Sequence, residues 1–373
     1  MTKKTLILLL AILLIIPNGS FALDANSIQS YTGDPDLLYL METFQYIKNV
    51  YPFEVDDKTL IEGGLRGMLQ SLDPYSDYYT SDEADQLYNS MLGVFSGIGV
   101  YIEEKDSYIN IIDTIKDAPG EKSGLKKDDL IISIDGMDIK DISIDDATRI
   151  LQGPKGSVVK LGIKRNTNST PLFIEVIRDT ISINPVSYEI INNDIGYIKL
   201  EEFSQSAAAE MSKALRELDK KGINKIILDI RNNPGGLINQ AIQISRQFVP
   251  TGPIVHIKEK NKELFTYSST TQKPKYELVV LVNEYSASAS EILAGAIKDR
   301  KSGTIIGKKT FGKGIVQSII PIENGSLIKI TTSEYLTPNK KSIHGIGIHP
   351  DIIVENTAEE DLQLKEAIKA LQK

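Results

Sequence analysis

The apolar residues of this chain change their spacing twice, and few folds accommodate both changes. Across residues 27–92 they recur at close to 3.6. "DLLYLMETFQYIKNVY" puts Leu37, Leu38, Leu40, Phe44, Tyr46, Ile47 and Val50 on one helical stripe. "TLIEGGLRGMLQSLDPYS" repeats the pattern with Leu60, Ile61, Leu65, Met68, Leu69 and Leu72, until Asp73-Pro74 stops it. Thr80 or Ser81, followed by acidic residues, starts a third helix. Across residues 93–180 the period falls to two. "GIGVYIEEKDSYINIIDTI" alternates like paired strands about an "EKDS" turn, and "SVVKLGIKR" and "LFIEVIRD" add two more strands. Two short helical patterns are interleaved with them.

From residue 181 onwards continuous apolar runs such as "KIILDI" and "YELVVLVN" alternate with amphipathic segments such as "SAAAEMSKALRELDKKG". Strands without polar alternation are buried on both faces. This predicts a largely parallel sheet with helices packed on each side. "EEDLQLKEAIKALQK" closes the chain as a helix. The fold class expected is therefore multidomain α/β. It has a helical region at 27–92, a β-rich unit with two helices at 93–180, an α/β core at 181–356 and a terminal helix at 357–373. A length of 373 residues suits two or three domains.

The first 22 residues stand apart. Lys3 and Lys4 precede an unbroken apolar run over residues 6–16, and Pro17-Asn18-Gly19 breaks it before Ser20-Phe21-Ala22. This is the order of a secretory signal, with cleavage expected after Ala22. At about 1.5 Å per residue the run falls short of the roughly 30 Å bilayer core. The alternative is an uncleaved signal that anchors the chain to the membrane. Either way the expected location is extracytoplasmic: periplasm, cell envelope or secreted. The sequence has no cysteine, which excludes disulfides, a thiol nucleophile and cysteine-ligated metal. A net charge of −8 argues against nucleic acid as a partner. No metal site and no cofactor are expected.

Three segments carry candidate chemistry. In "LVVLVNEYSASASEILAGAIK" a buried strand, a turn of small residues and a helix follow one another. The turn falls at the carboxyl edge of a parallel sheet, where ligand sites gather. The helix aims free N–H groups at it. Ser286, Ser288 and Ser290 lie there, as nucleophile or merely as turn and capping residues. A serine nucleophile needs a base. The three histidines, His256, His344 and His349, have no motif around them. In "KKTFGKGIVQ" Lys313 stands between two glycines. A solvated lysine is a poor base near neutrality, but burial lowers its pKa by up to several units. The third segment, "LDIRNNPGG", is either a simple strand-to-helix turn or an anion-binding concavity of N–H groups. "SGLK", at residues 123–126, has the S-x-x-K spacing of penicillin-binding enzymes but none of its companion motifs.

Together these segments resemble the carboxyl-terminal processing proteases, also called tail-specific proteases. "RGMLQSLDPYSDYYT" is similar to that family's N-terminal helical region, and "FSGIGVYIE" with "DAPGEKSGLKKDDLIISIDG" to its PDZ domain. "LDIRNNPGG", "VNEYSASASEILAGAIKD", "GKKTFGKGIVQ" and "GIGIHPDI" follow its core motifs in order. The resemblance implies a serine-protease core with a crotonase/ClpP-like fold. It implies Ser288 as nucleophile, Lys313 as base, Gln317 as the residue orienting the lysine, and Asp299 as a secondary catalytic candidate. It assigns the oxyanion hole to the backbone N–H groups of Gly235 or Gly236 and Ala289. The PDZ unit would hold a substrate's apolar C-terminal tail at Ser96, Gly97, Ile98 and Gly99 by adding it to a strand edge. Homodimerisation through the N-terminal helices is also implied, although those stripes could instead pack on the core. Two rivals remain. One is a non-catalytic PDZ adaptor, which needs neither Ser288 nor Lys313. The other is a hydrolase or acyl transferase of small esters or thioesters, which has no use for a tail-binding unit.

Overall fold

The computed structural model describes residues 14–15, 34–165, 170–322 and 324–372. The expected signal segment lies outside them except for Leu14 and Ile15. No helix among the described residues is long and apolar enough to cross a membrane. The chain forms two compact units, residues 92–183 and the remainder.

The larger unit is built on a sheet of six strands. In spatial order these are Val186–Ile191, Ile195–Leu200, Lys225–Asp229, Glu277–Val282, Thr304–Gly307 and Ile352–Ile353. The first pair is antiparallel and every later pair is parallel. The apolar runs read from the sequence are its central strands. Ile226, Ile227, Leu228, Val280, Leu281 and Val282 are completely closed to solvent. Helices Ala207–Lys220, Ile238–Phe248 and Ala289–Asp299 contribute to the main core on one face. Helix Leu362–Leu371 packs on the other face through Leu364, Ala367, Ile368 and Leu371. Arg231 ties that helix down. It bridges Asp229 at 2.6 Å and Asp361, at the helix N-cap, at 2.8 Å.

Not every strand of the core joins this sheet. Strands Ile315–Pro321 and Leu327–Leu336 do not extend the parallel sheet. With the hairpin Gly252–Glu259 and Phe265–Ser269 they make the antiparallel pairs of a second sheet, to which Leu14–Ile15 adds a short parallel pair. Strand Leu327–Leu336 alternates buried with half-buried positions at both ends, as suits a sheet with one face covered, whereas residues 316–319 and 254–257 of its neighbours are buried without a break.

The N-terminal region is helical at Pro35–Val50, Asp57–Gln70 and Ser81–Leu92, as read. Within it, however, Asp77–Tyr79 is a strand paired antiparallel with Leu327, Ile328 and Lys329. Helix Pro35–Val50 has no buried residue, so its apolar stripe does not pack on this core.

The smaller unit is a five-stranded antiparallel path with a short additional strand. Helices Pro119–Lys122 and Ile144–Leu151 contribute to it, and Ile109, Ile111, Ile131, Ile134, Val159 and Leu161 lie at its centre. Strand Val100–Lys105 is an edge of this sheet.

Candidate active site

Strand Glu277–Val282 delivers the chain to a tight turn at Asn283, and helix Ala289–Asp299 leaves it. The three serines of that turn have separate fates. Ser286 Oγ donates to Ile230 O at 2.8 Å and accepts the Asn283 N–H at 3.0 Å, which makes it a turn brace. Ser290 Oγ donates to Asn233 O at 3.0 Å. Ser288 Oγ alone of the three makes no hydrogen bond among the described residues, although it is buried. Ser288 also adopts φ 59° and ψ −115° at the helix N-cap. A non-glycine residue there carries strain of about 1–3 kcal/mol, which persists only where surrounding structure imposes it.

Glu291 supplies much of that imposition. It is fully buried, one turn into the helix. Its Oε2 accepts the backbone N–H of Ser288 and of Lys313, each at 2.8 Å. Its Oε1 accepts Gly312 N–H at 2.7 Å and Thr310 Oγ1–H at 2.6 Å. One carboxylate thus holds the turn bearing Ser288 and the loop bearing Lys313 together. Burial pushes its pKa up, while these four donors favour the charged form. Tyr335 Oη repeats the coupling by donating toward Ser288 O at 3.0 Å and Lys313 O at 2.7 Å. Neither Glu291 nor Tyr335 was singled out from the sequence. The Ser288-x-x-Glu291 spacing, a capping-box pattern at the start of an apolar helix, was the available signal.

Lys313 is 2% exposed. Its Nζ lies 4.3 Å from the centre of the Tyr75 ring. Burial, and next the nearby positive charge of Lys329, lower its pKa from 10.5 to about 7, while Asp73 and Glu291 pull the other way. The loop around it is tight. A Cβ on Gly314 would stand 2.6 Å from His344 N, so the backbone of the "GIGIH" stretch packs directly on "FGKG". His256 is engaged elsewhere, with Nδ1 2.7 Å from Thr266 Oγ1 and Nε2 3.2 Å from Pro338 O.

The other expected site residues are placed as follows. Gly235 packs against Ser288, and a Cβ there would meet Ala287 O at 2.7 Å and Ser288 Cβ at 2.8 Å. Its own N–H donates to Asn233 Oδ1 at 2.9 Å and is unavailable to an oxyanion. Of the three expected donors this leaves the Gly236 and Ala289 amides. Gln317 is buried two residues into strand Ile315–Pro321, but it does not orient the lysine here. Its Nε2 donates to Thr331 Oγ1 at 3.1 Å, and its Oε1 has no hydrogen-bond partner among the described residues. No hydrogen bond joins Ser288 Oγ to Lys313. Asp299 is not beside Ser288 at all. It ends the 11-residue helix, roughly 16 Å along its axis, and accepts the Asn339 N–H at 2.9 Å.

In the smaller unit an apolar groove of about 230 Å³ runs between edge strand Val100–Lys105 and helix Ile144–Leu151, lined by Val100, Ile102, Thr148 and Leu151. Gly97, Ile98 and Gly99 line it as well, with Ile98-Gly99 connecting strand Val94–Gly97 to the edge strand. Ser96 lies in strand Val94–Gly97, and its Oγ is buried without a partner among the described residues. The free strand edge beside an apolar groove can accept an extended peptide as an added strand. No group of histidine, aspartate or glutamate side chains among the described residues is arranged to hold a metal ion.

Comparison with known proteins agrees with this geometry. Residues 194–354 match the model of peptidase family S41, residues 111–165 that of the PDZ domain, and residues 22–83 that of the activating protease CtpB N-terminal domain. The chain is 37% identical over 324 residues to the carboxy-terminal-processing protease of Bartonella bacilliformis, covering 84% of this chain and 74% of the relative. It is 38% identical over 349 residues to the carboxy-terminal processing protease CtpA of Bacillus subtilis, covering 92% and 74%. Among solved structures it is similar to the photosystem II D1 C-terminal processing protease. The TM-score is 0.54 at 27% identity, over 91% of this chain and 98% of that one.

Proposed function

The chain belongs to the carboxy-terminal processing serine proteases of peptidase family S41, and from that premise we propose that Ser288 is its nucleophile and Lys313 its general base. The observation that carries this reading is the shared clamp. Glu291 holds Ser288, strained and with an uncommitted hydroxyl, and Lys313, a lysine with its pKa brought down to about 7, through one carboxylate.

The neutral Lys313 amine takes the Ser288 proton as Oγ attacks the scissile carbonyl. The negative charge that develops on the carbonyl oxygen is met by the N–H groups of Gly236 and Ala289. Ala289 begins the helix, so its N–H lies at the positive dipole end. The protonated lysine then donates to the leaving amine. The neutral amine regenerated in that step activates water to hydrolyse the acyl-enzyme. Gln317 serves this cycle through its Oε1, which has no partner among the described residues and can accept a hydrogen bond from the lysine when substrate is bound.

Substrates are proteins with apolar C-terminal tails. The groove beside strand Val100–Lys105 supports this reading, since its lining is apolar and its strand edge is free. The chain works outside the cytoplasm, delivered there by residues 1–22. It pairs with a second copy through the N-terminal helices, a reading supported by exposed Tyr39, Met41 and Tyr46 on helix Pro35–Val50.

Cleavage of an unstructured polypeptide with an apolar C-terminus tests the assignment. Ser288→Ala and Lys313→Ala should both abolish it, and activity surviving in either would sink the assignment. Amidation of the substrate's C-terminal carboxylate should slow cleavage by the wild type, and an unchanged rate would remove the tail-docking role.

A further inference from the structure

In the sequence, segment 73–79 marks the end of a helix and belongs to the stretch that resembles the family's N-terminal helical region. In the structure it reaches the sheet that bears the lysine. Asp73 folds it into a turn, with Oδ1 accepting Tyr75 N–H at 2.7 Å and Ser76 N–H at 2.9 Å, and Oδ2 accepting Ser76 Oγ–H at 3.0 Å. Ser76 Oγ accepts the Thr331 N–H at 3.1 Å, and Thr331 Oγ1 is the group that accepts from Gln317. The segment then runs as strand Asp77–Tyr79 along Leu327, Ile328 and Lys329. Tyr78 is 2% exposed.

Two tyrosines of this segment cover two buried lysines. The Tyr75 ring lies over Lys313 Nζ at 4.3 Å, and the Tyr79 ring over Lys329 Nζ at 4.7 Å. Lys329 is 3% exposed and donates to Tyr79 Oη. Burying a lysine disfavours its charged form. A pair of them, each against an aromatic face, needs a reason.

We propose that segment 73–79 is a working wall of the catalytic pocket, in which Tyr75 seals the Lys313 amine from water and Lys329, held under Tyr79, sets a second ammonium group against the base and opposes its protonation. This rests on Lys313 being the base. Tyr75 and Lys329 are positioning residues, since neither needs to touch substrate. Among the described residues, the charged and titratable groups facing Lys313 include Lys329 and Tyr335 from strand Leu327–Leu336, Asp73 and Tyr75 from the segment itself, and Glu291 from the helix. Asp73 and Glu291 favour the protonated amine, while burial and Lys329 oppose it and prevail. Lys329 in turn lies under Tyr79, and burial lowers its own pKa while Asp77 and Asp73 favour its charged form.

The direction of each effect is fixed. Removing the Tyr75 ring admits water and lets Lys313 hold its proton to higher pH. An aromatic face also attracts a cation, which acts in the opposite sense, so the direction of the shift is itself a test. Removing the Lys329 charge also lets Lys313 keep its proton to higher pH.

The experiment is the dependence of kcat/KM on pH for the full chain, from about pH 5 to about pH 10, with a peptide substrate. The wild-type acid limb should fall near the lysine value of about 7. Tyr75→Ala and Lys329→Met should each move that limb upward by roughly a unit or more, which is at least about fivefold in rate at pH 7 and about tenfold well below it. Tyr75→Phe keeps the ring and should return the limb to its wild-type position. An acid limb that stays in place, or moves down, in either folded variant overturns the proposal. If Tyr75→Ala does not fold, Lys329→Met decides alone. Lys313→Ala run alongside separates the two claims. Full activity in Lys313→Ala overturns both the base and the wall. An inactive Lys313→Ala with unmoved limbs in the other variants overturns the wall only.

Discussion

Replacing Lys313 with methionine should destroy cleavage and yet stabilise the fold at neutral pH. Lys313 is 2% exposed and its pKa falls from 10.5 to about 7. In the unfolded chain it binds a proton up to about pH 10.4. Between those values the unfolded state holds one more proton than the native state, so stability rises with pH across that window. At about 1.4 kcal/mol per unit, the buried lysine costs on the order of 4 kcal/mol at pH 7, and that cost vanishes above about pH 10. Methionine fills similar space without a charge to desolvate. Urea unfolding of both proteins at about pH 7, 8 and 9 measures the difference. Lys313→Met should be more stable by several kcal/mol at the lowest pH, with the gap closing by about 1.4 kcal/mol per unit. Titrations common to both proteins cancel in the difference. A gap that does not change with pH, or a variant less stable at pH 7, would refute the reasoning, because it would mean that the native lysine is charged at neutrality.

Three further outcomes follow from the site. Glu291→Gln replaces a four-bond acceptor by a group with one oxygen, leaving at least one of Ser288, Gly312 and Lys313 N–H unsatisfied. Stability should drop by about 1–3 kcal/mol and kcat should fall with it, as read by thermal unfolding and peptide cleavage; wild-type kcat would remove the clamp from the account. Gly235→Ala forces a side chain at φ 107° into Ala287 O at 2.7 Å and Ser288 Cβ at 2.8 Å. We expect kcat/KM to fall by about 100-fold, and an unimpaired rate would mean that Gly235 does not shape the nucleophile turn. In the smaller unit, Gly99→Val sets branched carbons at φ 72° with Ala118 Cβ at 2.4 Å from its Cβ position. Fluorescence anisotropy of an apolar-tailed peptide should then show weakened binding, with cleavage of a short tail-free peptide retained; unchanged binding contradicts the groove as the docking site.

How much of this was legible in the residues depended on whether the information was local. The buried run at Glu277–Val282 and the small residues after it place a strand, a turn and a helix within about twenty positions, and the structure has all three. The same applies to helix Leu362–Leu371. The second sheet was legible only in part, because its two hairpins are local while the pairing that joins them, and that of Asp77–Tyr79, is long-range. Asp77–Tyr79 finds Leu327, Ile328 and Lys329 across some 250 residues of chain, and three residues are too few to show a period. Segment 73–79 therefore read as a helix end, although it covers both buried lysines. Side-chain hydrogen bonding was likewise out of reach. Nothing in "GIVQ" says that Gln317 donates to Thr331, and a position on the helix after Ser288 does not bring Asp299 near it, because about 1.5 Å of rise per residue carries it away. Glu291 is readable as a capping residue from the S-x-x-E spacing, but nothing local says that its carboxylate also reaches the Lys313 loop.

The central claim is that Ser288, with Lys313 as its base, forms a covalent acyl-enzyme. Rapid acid quench with an activated peptide ester, followed by mass spectrometry of the digested enzyme, locates the acyl group. The account predicts one adduct, on Ser288, which at neutral pH forms in the wild type and not in Lys313→Ala. An adduct on Ser286 or Ser290, or equal acylation without the lysine, would contradict it.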